Sequence, residues 1–142
     1  MTSLHLRTLA EAEPHLAEME RVHRQLRPRI RADYRGAIAG VLADRGELLI
    51  VRDEMSVLGI ALFRSFATTF VEHRFYVDDL VTDEARRGTG VGAHMIEWLS
   101  TEARRRGATE VHLESGTQRT RAHRFYLAND FEIFALSFRR PM

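Results

Sequence analysis

Hydrophobic positions at the start of the chain recur first at every second residue and then at intervals of three and four. The alternating stretch LHLRTL, Leu4–Leu9, predicts a strand. The stretches Glu11–Leu26 and Arg31–Ala43 each place their apolar side chains on one helical face, so they predict two amphipathic helices. Pro28 ends the first helix and Gly46 follows the second, because neither residue continues a helix well.

Strand patterns dominate the middle of the chain. ELLIVRD and VLGIALFRSF are apolar runs around the short polar turn DEMS, which predicts a β-hairpin. RFYVDDLVT, Arg74–Thr82, predicts a further strand. The long amphipathic stretch Val91–Arg106 then predicts a helix in which Glu102 and Arg106 pair four residues apart and Gly107 caps the end.

The last part of the chain predicts a strand (TEVHLES), a short helix (Arg119–Ala128) and a final strand (FEIFALSF). The resulting order β-α-α-β-β-β-α-β-α-β predicts an α/β (α+β) fold with a mixed central sheet and helices on both faces. The chain has no linker, repeat or low-complexity segment, and its 142 residues match one ordinary domain. We therefore expect residues 1–142 to form a single domain.

Composition excludes several classes of protein. The formal net charge is +1, and the arginine-rich stretch 21–35 lacks interleaved aromatic residues, so nucleic-acid binding is not expected. The absence of cysteine excludes disulfides, and no histidine cluster has metal-ligand spacing, so no metal is predicted. No apolar run approaches the roughly 20 residues of a membrane span, and no signal pattern opens the chain. We expect a soluble, cytoplasmic protein with no membrane partner.

Three glycines alternate in the stretch RRGTGVG, Arg86–Gly92, between a predicted strand and a predicted helix. The first amides of a helix lack partners and carry the positive end of its dipole. A glycine-rich approach lets an anion lie against these N–H groups, and the two arginines add positive charge. A phosphate or diphosphate group is the natural ligand, and a tight turn without a ligand is the alternative.

A dinucleotide site is a second alternative for the same stretch. GTGVGA fits the pattern G-x-G-x-x-A, and Glu110 and Glu114 stand near the distance expected for a ribose-binding acid. The preceding segments, however, are a helix pair and a strand meander rather than a βαβ unit. No Gly-Lys-Ser/Thr follows the glycines, which excludes a Walker loop.

Two stretches together resemble the GCN5-related N-acetyltransferase (GNAT) family. DLVTDEARRGTGVGAHMIEWL is similar to its motif A, a strand followed by R/Q-x-x-G-x-G/A and a long helix. AHRFYLANDFEIF is similar to its motif B, A-x-x-x-Y-x-x-x-G-F. The matching residues are Arg87, Gly90, Gly92, Ala122, Tyr126 and Phe131. Asp130 stands where the family usually has glycine, so we expect Asn129 to take the left-handed cap, and Arg119 stands where many members have asparagine.

The resemblance implies an acyl-CoA N-acyltransferase fold and transfer of acetyl from acetyl-CoA, the cosubstrate, to a primary amine by direct attack in a ternary complex. In the family, the pantetheine arm fills a gap between two splayed strands. The backbone of Leu80, Val81 and Thr82 is therefore expected to pair with this arm and the thioester. The implied diphosphate-binding residues are Arg87, Gly88, Thr89, Gly90, Val91 and Gly92. Tyr126 matches the family's tyrosine, which protonates the leaving thiolate, and a core aromatic is the alternative for this residue.

The general base is left open by the sequence. Asp78 and Asp79 lie mid-strand, where acids are unfavourable unless needed, and at most one of them points into the cleft without a bulge. Asp78 matches a strand-borne acid of polyamine-acetylating relatives and is the candidate, with a chain of water molecules as an equal alternative. Asp79 is expected to be structural, for example by capping a neighbouring backbone group. The reserves are Glu72, His73 and Glu114, while His5, His15 and His23 are expected to be surface or packing residues.

The acceptor is expected to be a small molecule, although a protein amine stays open. In the family, the two N-terminal helices and their loop wall the acceptor site, and here that region reads RVHRQLRPRIRADYR. Its arginines favour an acidic acceptor, whereas Asp78 and Asp79 favour a cationic amine. A solvated helix face is the alternative for the arginines. A catalytically silent acetyl-CoA-sensing module of the same fold also stays open, and the sequence is compatible with a homodimer.

Overall fold

One five-stranded sheet, with its strands in chain order, forms the centre of the computed structural model, which describes residues 1–142. The strands are β1 (Thr2–Leu6), β2 (Glu47–Arg52), β3 (Val57–Ala67), β4 (His73–Thr82) and β5 (Val111–Leu113). Strands β1 to β4 pair antiparallel with their neighbours, and a helical segment joins β4 to β5. The predicted hairpin around DEMS is confirmed as the β2–β3 connection.

Five α-helices accompany the sheet. They are α1 (Leu9–Ala12), α2 (Leu16–Leu26), α3 (Tyr34–Ala43), α4 (Val91–Arg105) and α5 (Thr120–Ala128). The predicted helix Glu11–Leu26 is divided, because Pro14 has no amide proton and the chain makes a 3-10 turn at Glu13–His15. Thr8 begins α1 through a capping box with Glu11. None of the helices combines the length and the apolar composition that a membrane span requires.

The main apolar core lies between the sheet and helices α1–α3. Its strand members are Leu6, Leu48, Ile50, Val57, Ile60, Leu62 and Val81, and its helix members are Ala12, Met19, Val22, Tyr34 and Ile38. Because successive strand residues face opposite sides, Gly59 lies on the other face of the sheet, where Val91 and Met95 of α4 pack over it. The prediction of helices on both faces is therefore confirmed.

Helix α4 is fixed to the sheet at both ends. A Cβ placed on Gly59 would lie 2.9 Å from the nearest atoms of two α4 side chains, so only glycine permits this close approach without a shift. At the other end, the Arg106 guanidinium forms salt bridges with Glu47 of β2 and Glu102 of α4. The predicted Glu102–Arg106 pair is thus confirmed.

The chain forms two compact units, residues 1–112 and 113–142. The second unit contains α5, and there the predicted strand FEIFALSF is wrong, because residues 131–142 adopt no regular secondary structure. A strand requires a neighbour that pairs with its N–H and C=O groups, and an apolar pattern does not supply that neighbour. The single domain over residues 1–142 stays a prediction.

Candidate active site

A loop with two left-handed glycines leads from β4 into α4. The Asp83 amide donates to the Leu58 carbonyl at 2.8 Å, and a 3-10 turn follows at Glu84–Arg86. Gly88 and Gly90 then adopt φ angles of 78° and 88°, a region that residues with a Cβ rarely enter. The alternating glycines are therefore required to turn the backbone into the first turn of α4.

The first turn of α4 presents amides without acceptors. Gly90 is the N-cap and offers no side chain, and His94 is the first residue whose amide donates within the helix, to the Gly90 carbonyl at 2.9 Å. The amides of Val91–Ala93 consequently have no helical acceptor. A Cβ on Gly88 or Gly90 would meet no atom within 4 Å, so the space beside the loop is open. This arrangement fits an anion such as a diphosphate.

The side chains of the loop differ in how many of them are free to contact a ligand. Arg86 donates to Asp53 Oδ2 at 3.3 Å, whereas Arg87 is exposed. The Thr89 hydroxyl donates to the Arg86 carbonyl at 2.6 Å and so stabilises the loop itself. The backbone, with Arg87 beside it, is the part of the loop that faces solvent and can meet a ligand.

The C-terminal half of β4 has an edge that β5 does not cover. Leu80–Thr82 pair with Gly59–Ala61 of β3 on one side. On the other side, β5 has only three residues and is tied to the opposite end of β4, where Arg74 Nε donates to His112 Nδ1 at 3.1 Å. Leu80 lies about 20 Å of strand away from Arg74. An extended ligand can therefore lie along the edge at Leu80–Thr82.

A β-bulge at Asp78 turns two adjacent acids towards one face of the sheet. Leu62 pairs with Asp79, but the next residue of β3 pairs with Val77, so Asp78 is the extra residue of β4. Asp79 is paired with Leu62 and lies on the same face of the sheet. Asp78 contacts Arg64, which lies two residues after Leu62 and so is also on that face. The expectation that at most one acid reaches the cleft applies to a regular strand, and the bulge removes that restriction.

Asp79 belongs to a polar network beneath α2. Its Oδ2 lies 2.9 Å from His23 Nε2, and its Oδ1 accepts from Arg27 Nε at 2.7 Å. His23 is 3% exposed, and its Nδ1 lies 3.0 Å from the Tyr34 hydroxyl. Burial alone would raise the pKa of Asp79, but the hydrogen bonds from His23 and Arg27 outweigh burial and lower that pKa. The expectation that Asp79 caps a backbone group is wrong, because its partners are side chains.

The contacts of His23 and Arg27 with Asp79 were not predicted from the sequence. His23 lies in α2 and Arg27 is the residue that caps its end, four positions later, where its amide donates to the His23 carbonyl, so the two lie on the same side of the helix. A buried carboxylate requires hydrogen-bonding partners. This requirement, together with the four-residue spacing of His23 and Arg27, could have predicted their contacts with Asp79 from the sequence.

Asp78 is more accessible than Asp79. Its side chain is 31% exposed, and its Oδ2 accepts from Arg64 Nε at 2.8 Å. Arg64 also lies 3.6 Å from Asp44 Oδ2. The Oδ1 atom of Asp78 accepts no hydrogen bond, so it can take a proton from a group in front of β4.

The reserve residues lie elsewhere. Glu72 and His73 are exposed at the start of β4, far from Leu80, and Glu114 accepts from Ser137 Oγ at 3.1 Å within the second unit. No group of three or more His, Cys, Asp or Glu side chains is placed to hold a metal ion.

Tyr126 lies in α5, within the second unit. Its ring lies 5.5 Å from the rings of both Phe125 and Phe131, and its hydroxyl has no hydrogen-bonding partner in that unit. Burial raises the pKa of Tyr126, and the positive charge of Arg119 opposes this effect. The phenol therefore keeps its proton at neutral pH.

The residue that takes the left-handed conformation after α5 is not the one expected from the sequence. Asp130 itself takes the left-handed conformation, with φ of 63°, whereas Asn129 has φ of −113°. The prediction of Asn129 as the left-handed cap is therefore wrong. Aspartate is among the few residues besides glycine that tolerate this region, which explains how Asp130 stands where glycine is usual.

The open amides of α4 and the unpaired edge of β4 lie within a stretch of the chain that matches a known protein family. The model of the acetyltransferase (GNAT) family matches residues 6–131. The chain belongs to this family. The matched residues include the glycine loop, the acids of β4 and Tyr126, and the antiparallel strands before the loop do not form the βαβ unit of a dinucleotide fold.

Two curated GNAT relatives match parts of the chain. The uncharacterized N-acetyltransferase YhdJ of Bacillus subtilis (strain 168) is 40% identical over 72 residues, which cover 50% of this chain and 50% of the relative. The aminoalkylphosphonate N-acetyltransferase of Salmonella typhimurium (strain LT2) is 34% identical over 56 residues, which cover 39% and 36%. The matches thus span half or less of the length of these relatives.

Solved structures show the same fold over nearly the whole chain. AAC(6')-Iy, in complex with the bisubstrate analog CoA-S-monomethyl-acetylneamine, superposes with a TM-score of 0.79 at 18% identity, covering 92% of this chain and 93% of that one. The predicted acyl-CoA N-acyltransferase fold is therefore confirmed.

We predict that Asp79→Asn lowers the free energy of unfolding by about 2 kcal/mol at about pH 7, because it removes the charge of a largely buried carboxylate that accepts hydrogen bonds from His23 and Arg27. Since the pKa of Asp79 is lowered by folding, this contribution is complete above its ordinary value of 3.8 and is lost as the pH falls through the folded value. Urea unfolding should therefore show a smaller difference between wild type and variant at about pH 3.

Glu13→Gln is the control for this experiment. It removes an exposed pair with Arg35 and should leave the free energy of unfolding nearly unchanged. An equal effect of Asp79→Asn at both pH values would contradict the assigned role of the Asp79 charge.

Proposed function

We propose that the protein is an acetyl-CoA-dependent N-acetyltransferase that transfers acetyl to the primary amine of a small acceptor by direct attack in a ternary complex. One observation carries this proposal: in a member of the GNAT family, the open amides of α4 lie at the end of the same strand whose edge is uncovered. Acetyl-CoA has a diphosphate and an extended amide-containing arm. The diphosphate suits the open amides of α4, and the arm suits the unpaired edge of β4.

The backbone would hold most of the cosubstrate. The amides of the segment Arg87–Gly92 would bind the diphosphate, and the edge of Leu80–Thr82 would pair with the pantetheine arm as an added strand. A β4 amide near Leu80 would stabilise the oxyanion formed when the amine attacks the thioester. Glycine at the loop then serves a chemical need, since no Cβ separates the backbone from the phosphates.

We assign the general base to Asp78. A free alkylamine has a pKa of about 10 and must lose a proton before it attacks. Asp79 is poorly suited, because His23 and Arg27 occupy both of its oxygens and its pKa is lowered. Asp78 has a free oxygen and greater exposure, so it can accept the proton directly or through one water molecule.

We assign the general acid to Tyr126. The leaving thiolate has a conjugate thiol pKa of about 8.5 and departs more easily when it is protonated. Burial makes the phenol of Tyr126 a weaker acid, so the raised pKa does not itself favour this role. The assignment is supported by the match to motif B and by a hydroxyl that is not committed to another group of its unit.

A small acceptor is supported by the relatives. One is an aminoalkylphosphonate N-acetyltransferase, and the solved relative holds an analog that joins CoA to acetylneamine. Both acceptor groups are small amines, so we propose the same broad class for this chain.

Gly90→Asp is predicted to weaken acetyl-CoA binding by roughly tenfold or more, because it adds a Cβ to a left-handed residue and a negative charge beside phosphate. Calorimetric titration with acetyl-CoA measures the affinity. Gly40→Asp is the matched control, since Gly40 lies in α3 and a Cβ there meets no atom within 4 Å. Unchanged affinity in the Gly90 variant would refute the phosphate site, and binding of NAD instead of acetyl-CoA would favour the dinucleotide alternative.

Asp78→Asn should reduce turnover by about 10²-fold without weakening acetyl-CoA binding, because it removes the proton acceptor, and its only charged partner, Arg64, is not among the residues proposed to bind acetyl-CoA. The loss should be smaller near pH 10, where about half of an ordinary alkylamine is already deprotonated. Asp44→Asn serves as control, since Asp44 contacts the same Arg64 but is highly exposed. Full turnover by Asp78→Asn near pH 7 would assign the proton transfer to water.

Tyr126→Phe keeps the ring contacts and removes only the hydroxyl. Turnover should fall by about 10²-fold with little change in acetyl-CoA affinity, because the loss is confined to the transition state. The loss should be smaller with a thioester whose leaving thiol is more acidic. Steady-state kinetics with both thioesters, beside a thermal melt, tests this, and near-normal turnover with lower stability would indicate a packing role.

A further inference from the structure

We propose that Arg27 selects an acceptor amine that also carries an anionic oxyacid group. This inference rests on the proposed acetyltransferase function and gives the charge of its acceptor. The supporting observations are how the acids of β4 are paired, how the Arg27 guanidinium is held, and where it lies relative to Leu80.

The acids of β4 do not form a free anionic surface that would attract a second positive charge. Both oxygens of Asp79 have cationic or hydrogen-bonding partners, His23 and Arg27, and Asp78 is paired with Arg64. A second cationic group on the acceptor would meet carboxylates whose charge is already paired with an arginine. The conflict between acidic and basic signals in the sequence is therefore resolved in favour of the arginines.

The Arg27 guanidinium is fixed in direction while part of it stays open. Its Nε donates to Asp79 Oδ1 at 2.7 Å, and its Nη2 donates to the Asp78 carbonyl at 3.3 Å. The side chain is still 52% exposed, and its Nη1 donates to no protein group. A guanidinium that is oriented on one side and free on the other can bind a carboxylate or phosphonate with two parallel hydrogen bonds.

The arginines near Arg27 favour binding of an anionic group at this position. Arg27 follows the last residue of α2 and begins the segment RPRIR, residues 27–31, which contains three arginines and no acid. By contrast, Arg21 and Arg24 of α2 are already paired with Asp83 and Glu20. Arg27, at the start of this segment, therefore places an accessible positive charge next to the acids of β4.

The position of Arg27 limits the size of the acceptor. Arg27 binds the carbonyl of Asp78, and Leu80, beside the proposed thioester position, is two residues further along β4. Two strand residues span about 7 Å. An amine and an anionic group separated by a few bonds can therefore reach the two positions at once.

Four amines of similar length test the inference. They are 3-aminopropanoate, 3-aminopropylphosphonate, 3-aminopropanamide and 1,3-diaminopropane, assayed with acetyl-CoA by thiol release. We expect kcat/KM for at least one acidic amine to exceed that for the amide and the diamine by roughly tenfold or more. The ratio between the two acidic amines tells whether the natural group is a carboxylate or a phosphonate.

Variants of Arg27 connect this preference to the residue. Arg27→Gln should lower kcat/KM for the preferred acidic amine by roughly tenfold and change that for the amide by less than about threefold. Arg27→Lys keeps the charge but loses the planar fork, so it should recover only part of the preference. Arg35→Gln, which removes an exposed arginine paired with Glu13, should leave all four values unchanged. Thermal melts show that each variant is folded under the assay conditions.

Binding provides a readout that does not depend on turnover. The acidic amines should raise the melting temperature of wild type and Arg35→Gln but not of Arg27→Gln. Preference for the amide or diamine would overturn the inference and leave the acetyltransferase proposal intact. Arg27-dependent binding without thiol release would retain the acidic site and overturn the proposed activity, and the absence of both would overturn both.

Discussion

The pairing of β3 with β4 is the constraint on which the rest of the site depends. It fixes Leu80–Thr82 against β3, so that their outer edge faces the gap left by the short β5. One extra residue in this pairing, Asp78, changes which side chains face α2. Before the bulge, Phe75 and Val77 are buried in the sheet, and after it Asp79 takes a position beneath α2. The unpaired backbone edge and the two acids are thus positioned by the same strand.

Charge compensation makes two adjacent acids compatible with a strand interior. A buried carboxylate is unfavourable unless cations or hydrogen-bond donors replace its water. Asp79 obtains such partners from one face of α2, and Asp78 obtains one from β3. The two acids therefore have different roles. Asp79 joins α2 to the sheet, and Asp78 keeps one oxygen open to solvent.

Features that depend on neighbouring residues in the sequence could be predicted, and those that depend on register could not. The periodicity of α4 and the glycines before it identify the helix and the loop that leads into it, and the turn DEMS identifies the hairpin. The bulge at Asp78 depends on how β3 aligns with β4, which no local pattern contains. His23 and Asp79 lie 56 positions apart in sequence, so their contact follows from the fold alone. The strand expected in FEIFALSF is absent because an apolar pattern does not determine a pairing partner.

The attachment of α4 at both ends has a consequence for how the loop meets its ligand. The helix spans 15 residues, or about 22 Å, between its contact with Gly59 and the ion pairs of Arg106 with Glu47 and Glu102. Its first amides are therefore held at a set distance and angle from the sheet before any ligand arrives. The loss of chain entropy needed to align these donors occurs during folding, so an anion that binds there would meet donors that are already oriented.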